Sequence, residues 1–262
     1  MITKKTAVVT GASSGMGRIF ARKLDATKKY DEIWLIARNR EKLEKTADEL
    51  SSKVRIIQAD LTKEEGIKKY KEMLISQSPS VTALVNAAGF GFFGDSLKMD
   101  PDKLALMVEL NCKALMNMTY ATLPYMKAGA EIYQFASRAA FQPVPFISVY
   151  SATKAFVLSF SRSLNVELAS RKIKVMALCP AWVQTEFFDT AVLDKSISYY
   201  DKIYDPEKIV SKAMKDMSRS RDISIYGFTN LSTIVISKIL PHRLFMKMWC
   251  GQQKIDPGKE RP

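Results

Sequence analysis

A single α/β domain with a doubly wound parallel sheet is the fold class this sequence predicts, on three observations. Short apolar runs rich in β-branched residues alternate with helical patterns along the chain, as in successive βαβ units. The first unit closes on a glycine-rich turn, Thr10 to Gly17, set between a clear strand and a clear helix. Ser137, Tyr150 and Lys154 then fall at a strand end and on the helix beyond it, where such a sheet presents side chains to a ligand. At 262 residues and 47% hydrophobic content the chain buries a sizeable core, and no repeat or low-complexity linker divides it.

Composition removes several classes of function. His242 is the sole histidine, which leaves zinc chemistry and a Ser-His-Asp triad without support. Cys112, Cys179 and Cys250 are odd in number and widely spaced, so they offer no metal pattern and fit a reduced, cytoplasmic protein. No run of eighteen apolar residues occurs, and the first strand starts too early for a charged and apolar signal segment. The formal net charge of +13 suits an anionic partner, whether nucleic acid, a membrane surface, a dinucleotide phosphate or an acidic substrate. The cations are spread through helices such as Ile67 to Lys71 and read as solvated faces, and no nucleic-acid motif accompanies them.

Along the chain, the strand ending at Thr10 leads into Gly11, Ser13, Ser14, Gly15, Met16 and Gly17, then a helix from Arg18. Glycines there let the backbone turn tightly and let a pyrophosphate reach the free amides of the helix N-terminus. The spacing is G-x-x-x-G-x-G, not the commoner G-x-G-x-x-G. The next strand, Glu32 to Ile36, leads to Arg38, which favours the added phosphate of NADP(H) where an acidic residue would repel it. Arg18 either assists or faces solvent, and Arg40 reads as surface. Past a third strand stand Asp60 and Leu61, with Asp60 either meeting an adenine edge or capping a turn. A fourth strand ends in the small residues Asn86-Ala87-Ala88-Gly89, past which a cofactor can run. A helical pattern from Asp102 to about Leu123 carries Asn111 in its middle, either an ordinary satisfied side chain or a kinked site that orients a water and Lys154.

Tyr150 and Lys154 lie four apart, so on a helix they stack, and Ser137 precedes them at a strand end. A free phenol titrates at about 10, and a nearby ammonium lowers that value. Reaching about 7 takes roughly 4 kcal/mol, which a desolvated Lys154 and a cationic nicotinamide supply together in this reading. Such a phenol exchanges a proton with an alcohol or carbonyl near neutral pH. Tyr204 and Lys208 repeat the spacing around Pro206, without a serine partner, and read as a loop entering a helix.

These residues together resemble the short-chain dehydrogenase/reductase family over roughly residues 5 to 190. The resemblance implies a Rossmann fold with seven parallel strands and a tetrad of Asn111, Ser137, Tyr150 and Lys154. In it Tyr150 is general acid/base, Ser137 holds the substrate oxygen, Lys154 binds the nicotinamide ribose and Asn111 holds a relay water. Two positions depart from the family pattern: Asn86-Ala87 stands where Asn-Asn is usual, and Pro180-Ala181 where Pro-Gly is usual. Val183 and Thr185 match positions that contact the carboxamide. Subunit contact along the helices carrying Asn111 and Tyr150, giving a dimer or tetramer, is also implied.

Residues 186 to 205, with Phe187, Phe188, Val192, Leu193, Ile197, Tyr199 and Tyr200, read as a lid over the nicotinamide. Phe92, Phe93, Phe141, Pro143, Val144 and Phe146 are expected at the same mouth, which favours a large apolar substrate. A helix from Pro206 to about Ser218 and a last strand, Ile223 to Tyr226, precede an apolar extension with interleaved cations, residues 229–252. That extension suits a membrane surface, closure of the pocket, or packing against core or a subunit. The expectation is an NADP(H)-dependent alcohol/ketone oxidoreductase similar to bacterial hydroxysteroid and bile-acid dehydrogenases. A 3-oxoacyl thioester reductase and a non-catalytic dinucleotide-binding sensor or scaffold are the alternatives.

Overall fold

Val8 and Val9 belong to β1 (Lys5–Thr10), whose residues after Lys5 are all buried because it runs through the middle of the sheet. The computed structural model describes residues 4–187, 191 and 197–256. After β1 come α1 (Gly15–Ala26), β2 (Glu32–Ala37), α2 (Arg40–Ala47), β3 (Lys53–Gln58), α3 (Glu64–Gln77) and β4 (Ser80–Asn86). Then follow α4 (Pro101–Val108), α5 (Leu115–Thr122), β5 (Met126–Phe135), α6 (Ser148–Glu167), β6 (Lys174–Leu178), and the short strands β7 (Trp182–Val183) and β8 (Ile203–Tyr204). The chain continues through α7 (Pro206–Ser218), β9 (Ile223–Ser224), α8 (Phe228–Ile239) and α9 (His242–Gln252).

Seven strands form one parallel sheet in the order β3-β2-β1-β4-β5-β6-β9, while β7 and β8 pair separately. This is the Rossmann-like, doubly wound α/β fold expected from the sequence. Because side chains alternate along a strand, each strand feeds two cores. Ala7, Val9, Ile33, Leu35 and Val85 pack under α1 and α7, and Val8, Trp34, Ile36, Leu84 and Ile132 pack under α3, α5 and α6. Phe20 of α1 is fully buried against Tyr133 and Phe135, with ring centroids 5.0 and 5.7 Å away. Burying one such ring contributes about 2 kcal/mol. The strand order reverses between β1 and β4, so a crevice opens at their C-terminal ends.

The helix predicted from 102 to 123 is interrupted by a π segment, Glu109–Ala114, which contains Asn111. The last strand is two residues, shorter than the four expected, and Tyr204 lies in β8, not in a loop. α7 starts where the sequence placed it, with Pro206 at its first position and the Asp205 carboxylate accepting from the Glu207 amide at 2.8 Å.

Between β4, α5 and β5 lies a closed polar knot. Asn86 Nδ2 donates to Thr119 Oγ1 and to Gln134 Oε1, both at 3.0 Å, and Gln134 Nε2 donates to Thr119 Oγ1 at 2.9 Å. All three residues are buried. Thr119→Val removes the acceptor of the Gln134 amide and is expected to cost about 2 kcal/mol in urea unfolding. A loss under about 0.5 kcal/mol would show that the knot does not hold the sheet to α5.

Candidate active site

One cavity of about 640 Å³ runs along the crevice, from the glycine-rich turn to the C-terminal helices. Its first arm is built by the turn after β1. Gly11 has φ +65°, and a Cβ there would come within 2.8 Å of the Ala88 amide nitrogen. A Cβ on Gly17 would meet the Gly11 carbonyl oxygen at 2.2 Å, so these glycines let β1, α1 and the end of β4 close together. Ser13, Ser14, Gly15, Met16 and Gly17 line the arm, and α1 opens with no acidic residue in its first turn and no side-chain cap bond from Ser14. The first amides of α1 and its dipole are thereby left for an anion.

At the far end of this arm Arg38 is exposed on the cavity wall and makes no ion pair among the described residues. The neighbouring cations are taken: Arg18 pairs with Glu49, and Arg40 with Glu44 at 2.8 Å. Asp60 and Leu61 line the wall, and Asp60 also closes its own turn, with Oδ1 accepting from the Thr62 amide at 3.0 Å and hydroxyl at 2.7 Å. Ala87, Pro180, Val183 and Thr185 line the arm, and Lys42 Nζ reaches Glu186 at 2.8 Å beside it. Asn86 is a correction: it is not on the wall, because its amide is turned into the polar knot.

Where the two arms meet stand Ser137, Tyr150 and Lys154. Ser137 follows β5, its Oγ accepts from the Ala139 amide at 3.1 Å, and its hydroxyl lies near enough to the Tyr150 phenol to favour phenolate. Tyr150 and Lys154 both come from α6, one turn apart. Burial pushes the phenol up to about 12, with Ser137 pulling the other way. Burial also pulls the Lys154 ammonium down to about 8. This corrects the expected lowering of Tyr150 by Lys154. The ammonium donates to the Phe135 carbonyl at 2.7 Å and lies 5.6 Å from the centre of the phenol ring, and its attraction there does not offset the burial of the phenol.

Asn111 is not itself on the cavity wall, but its Oδ1 and Lys154 Nζ face one gap at Gly89, where an added Cβ would lie 2.9 Å from the first and 3.5 Å from the second. Its Oδ1 accepts from the Phe90 amide at 3.1 Å, and its Nδ2 donates to the Phe90 carbonyl at 2.8 Å and to Thr153 Oγ1 at 3.2 Å. By clamping Phe90 it fixes Gly91, where an added Cβ would come within 2.9 Å of Tyr150 Cδ2.

The second arm is aromatic. Phe93 and Phe187 pack on Tyr150 with centroids 5.3 and 5.8 Å away, and Val144 and Tyr199 add to the wall. Phe92, Phe141, Pro143, Phe146, Ile197 and Tyr200 are not on the wall, although Phe146, Ile197 and Tyr200 join the cluster behind it. Phe188, Val192 and Leu193 lie outside the described residues. The C-terminal helices close the arm through Ile236, Phe245, Met248 and Trp249. Trp249 Nε1 donates to the Pro145 carbonyl at 3.1 Å.

Three groups here escaped the sequence reading. Arg138, directly after Ser137, holds Asp201 through a two-pronged pair of 2.5 and 3.1 Å, and an arginine at a strand end was the available signal. Gln253, 3% exposed, accepts from the Ser198 and Tyr199 amides at 3.0 and 2.9 Å and donates to the Tyr199 carbonyl at 2.9 Å. Gln142, 9% exposed, lines the cavity with its Oε1 unpartnered. Local pattern carried no signal for either glutamine.

The free amides at α1 fit the phosphates of a nicotinamide dinucleotide. A model of the family described as short chain dehydrogenase matches residues 5–196. Over 252 residues the chain is 31% identical to the very-long-chain 3-oxoacyl-CoA reductase of Bos taurus, covering 92% of this chain and 77% of that protein. Over 207 residues it is 31% identical to the 17-beta-hydroxysteroid dehydrogenase type 3 of Homo sapiens, covering 75% and 66%. Among solved structures, a short-chain dehydrogenase from Sphingobium yanoikuyae in complex with NADPH aligns over 98% of both chains, at 24% identity and a TM-score of 0.76.

Proposed function

Given that this chain belongs to the short-chain dehydrogenase family, we propose that it is an NADP(H)-dependent oxidoreductase interconverting an apolar secondary alcohol and its ketone, with hydroxysteroids as the substrate class. The observation that carries this reading is the half-buried Tyr150 phenol, set beside Ser137 where the glycine-lined arm meets the aromatic arm. When bound, the nicotinamide dinucleotide supplies or accepts the hydride. The chain's residues handle the proton and the orientation. With its pKa at about 12, Tyr150 stays protonated near neutrality and gives its proton to a ketone oxygen in the reductive direction. Ser137 Oγ, fixed by the Ala139 amide, holds the same oxygen and steadies the phenol. Lys154, charged below about 8, favours phenolate over phenol and so eases the departure of that proton. Phe93 and Phe187 pack on the phenol ring, and Trp182 packs on Phe93 behind it, which limits water around the phenol.

Arg38 supports NADP(H), since a cation without an ion pair among the described residues is available to a phosphate there. The aromatic and aliphatic second arm supports an apolar substrate, and the likeness to a hydroxysteroid dehydrogenase supports a polycyclic one. A 3-oxoacyl thioester is the second reading, favoured by the likeness to a 3-oxoacyl-CoA reductase. The test is cofactor absorbance at 340 nm against oxo- and hydroxysteroids, bile acids, acetoacetyl thioesters and small ketones, with NADPH and NADH. Turnover of a steroid position with NADPH is expected. Activity confined to thioesters would move the assignment to the second reading, and silence with NADPH still bound would leave a dinucleotide-binding sensor.

Gln142 gives a finer expectation. Its unpartnered amide oxygen suits a hydroxyl on the far end of the substrate, so Gln142→Leu is expected to raise KM about tenfold for a hydroxylated ketone. The ketone lacking that hydroxyl would bind unchanged, and equal effects on both would remove Gln142 from recognition. A second copy of the chain is the proposed partner of the α4 to α6 face, where Tyr120 and Phe156 are exposed. Analytical ultracentrifugation is expected to give a dimer or tetramer, and a monomer would overturn that.

A further inference from the structure

The C-terminal helices turn one face into the cavity and the other to solvent, and the outer face is the most apolar surface of the described residues. Seven of their sixteen exposed large hydrophobic side chains lie between 228 and 248. On α8, Phe228, Leu231, Val235 and Ile239 follow a spacing of three and four and share one stripe, with Phe228 and Ile239 85% and 75% exposed. On α9, Leu244 and Met248 lie one turn apart. An aqueous protein seldom leaves such a patch uncovered.

Charge says what covers it. From 223 to 255 the chain carries Lys238, Arg243, Lys247 and Lys254 and no acidic residue, in a protein with 27 Asp and Glu overall. Lys238 also lies 5.5 Å above the Phe141 ring, while Arg243 and Lys247 are exposed between the apolar residues. A second copy docked face to face would set these cations against one another, and a nucleic acid would leave the apolar stripe wet. Apolar side chains with interleaved cations match the boundary of a bilayer bearing anionic headgroups. The helices have twelve and eleven residues, and no helix of the described residues is long and apolar enough to cross a membrane. The patch also borders the cavity, because Thr233 and Ile236 of α8 and Met248 of α9 line its wall.

We infer that the outer face of α8 and α9 docks on the surface of an anionic lipid bilayer, with the cavity mouth at the lipid boundary. The docking stands whichever carbonyl compound is turned over. It gives an apolar substrate a path from lipid to Tyr150 that avoids water.

The test is co-sedimentation of the full chain with vesicles of phosphatidylcholine, alone or with about 30 mol % phosphatidylserine, at about 0.1 M salt. Partition onto the anionic vesicles is expected to exceed that onto phosphatidylcholine by about tenfold. Arg243→Glu with Lys247→Glu is expected to abolish that preference, and Leu231→Glu with Ile239→Glu to cut partition onto both by about tenfold or more. None of these four residues lines the cavity, so turnover of a small water-soluble ketone stays unchanged and reports folding. If the apolar variant fails that control, the charge variant decides. Absence of binding to anionic vesicles, or binding undiminished in the variants, overturns the inference. So does a native oligomer that Leu231→Glu with Ile239→Glu splits into monomers, because a second copy would then cover the face.

Discussion

Tyr150→Phe is expected to lower kcat by about 10³-fold while leaving the NADPH dissociation constant within about threefold of the native value. The change deletes one oxygen. The ring keeps its packing against Phe93 and Phe187, and Lys154 keeps its bond to the Phe135 carbonyl, so the walls of the cavity stay in place. What goes is the proton donor, and a 10³-fold loss corresponds to about 4 kcal/mol of transition-state stabilisation. Single-turnover absorbance at 340 nm and a fluorescence titration with NADPH measure the two quantities, and near-native turnover would remove Tyr150 from the chemistry. The pH profile supplies an independent sign. Lys154 loses its proton as pH rises through about 8, and with it the attraction that eases proton release from Tyr150. Ketone reduction is therefore expected to be level below pH 8 and to fall above it. For stability the sign is opposite: the folded pKa of Lys154 lies below its unfolded value, so the unfolded chain binds more protons between about 8 and 10.4 and this contribution rises with pH across that window.

Arg38→Asp is expected to shift the ratio of kcat/KM for NADPH over NADH by about 10²-fold toward NADH. Loss of one charge-assisted contact to a phosphate and addition of a like charge together amount to about 2.7 kcal/mol at an exposed site. The native preference is expected to weaken with added salt, as an exposed charge pair does. Arg18→Ala, by contrast, leaves the ratio unchanged, because Arg18 is held by Glu49 on the far side of α1. An unaltered ratio in Arg38→Asp would refute the assignment.

The parts of the molecule legible in the sequence are those governed by neighbours along the chain. Asp205 and Pro206 announced the start of α7, and Gly11, Gly15 and Gly17 announced a turn that only small residues can make. Spacing also brought Tyr150 and Lys154 onto one side of α6, but the acceptor chosen by the ammonium is a carbonyl nineteen residues away, which spacing does not encode. The same limit explains Asn86 and Asn111. Asn86 stands where a ligand contact was expected and Asn111 where either a satisfied side chain or a water-orienting one was, and both bond protein atoms that only the assembled fold brings close. Arg138 and Asp201 are 63 residues apart, and Gln253 meets Ser198 across 55. Within the segment predicted as a lid, Ser198, Tyr199 and Asp201 are held by Gln253 and Arg138 from elsewhere in the chain.

Gln253 makes the far side of the cavity answer to the end of the chain. With three main-chain hydrogen bonds it ties Ser198 and Tyr199 to α9, and α8 and α9 supply the rest of that wall. The groups proposed to handle the proton all precede residue 155, whereas most of the wall proposed to hold an apolar molecule comes after 180. Divergence can therefore act on the two halves separately. Substitutions after the sixth strand can change which molecule is accepted while the proton-handling half is inherited intact, so descendants of one gene can diverge in diet before they diverge in chemistry.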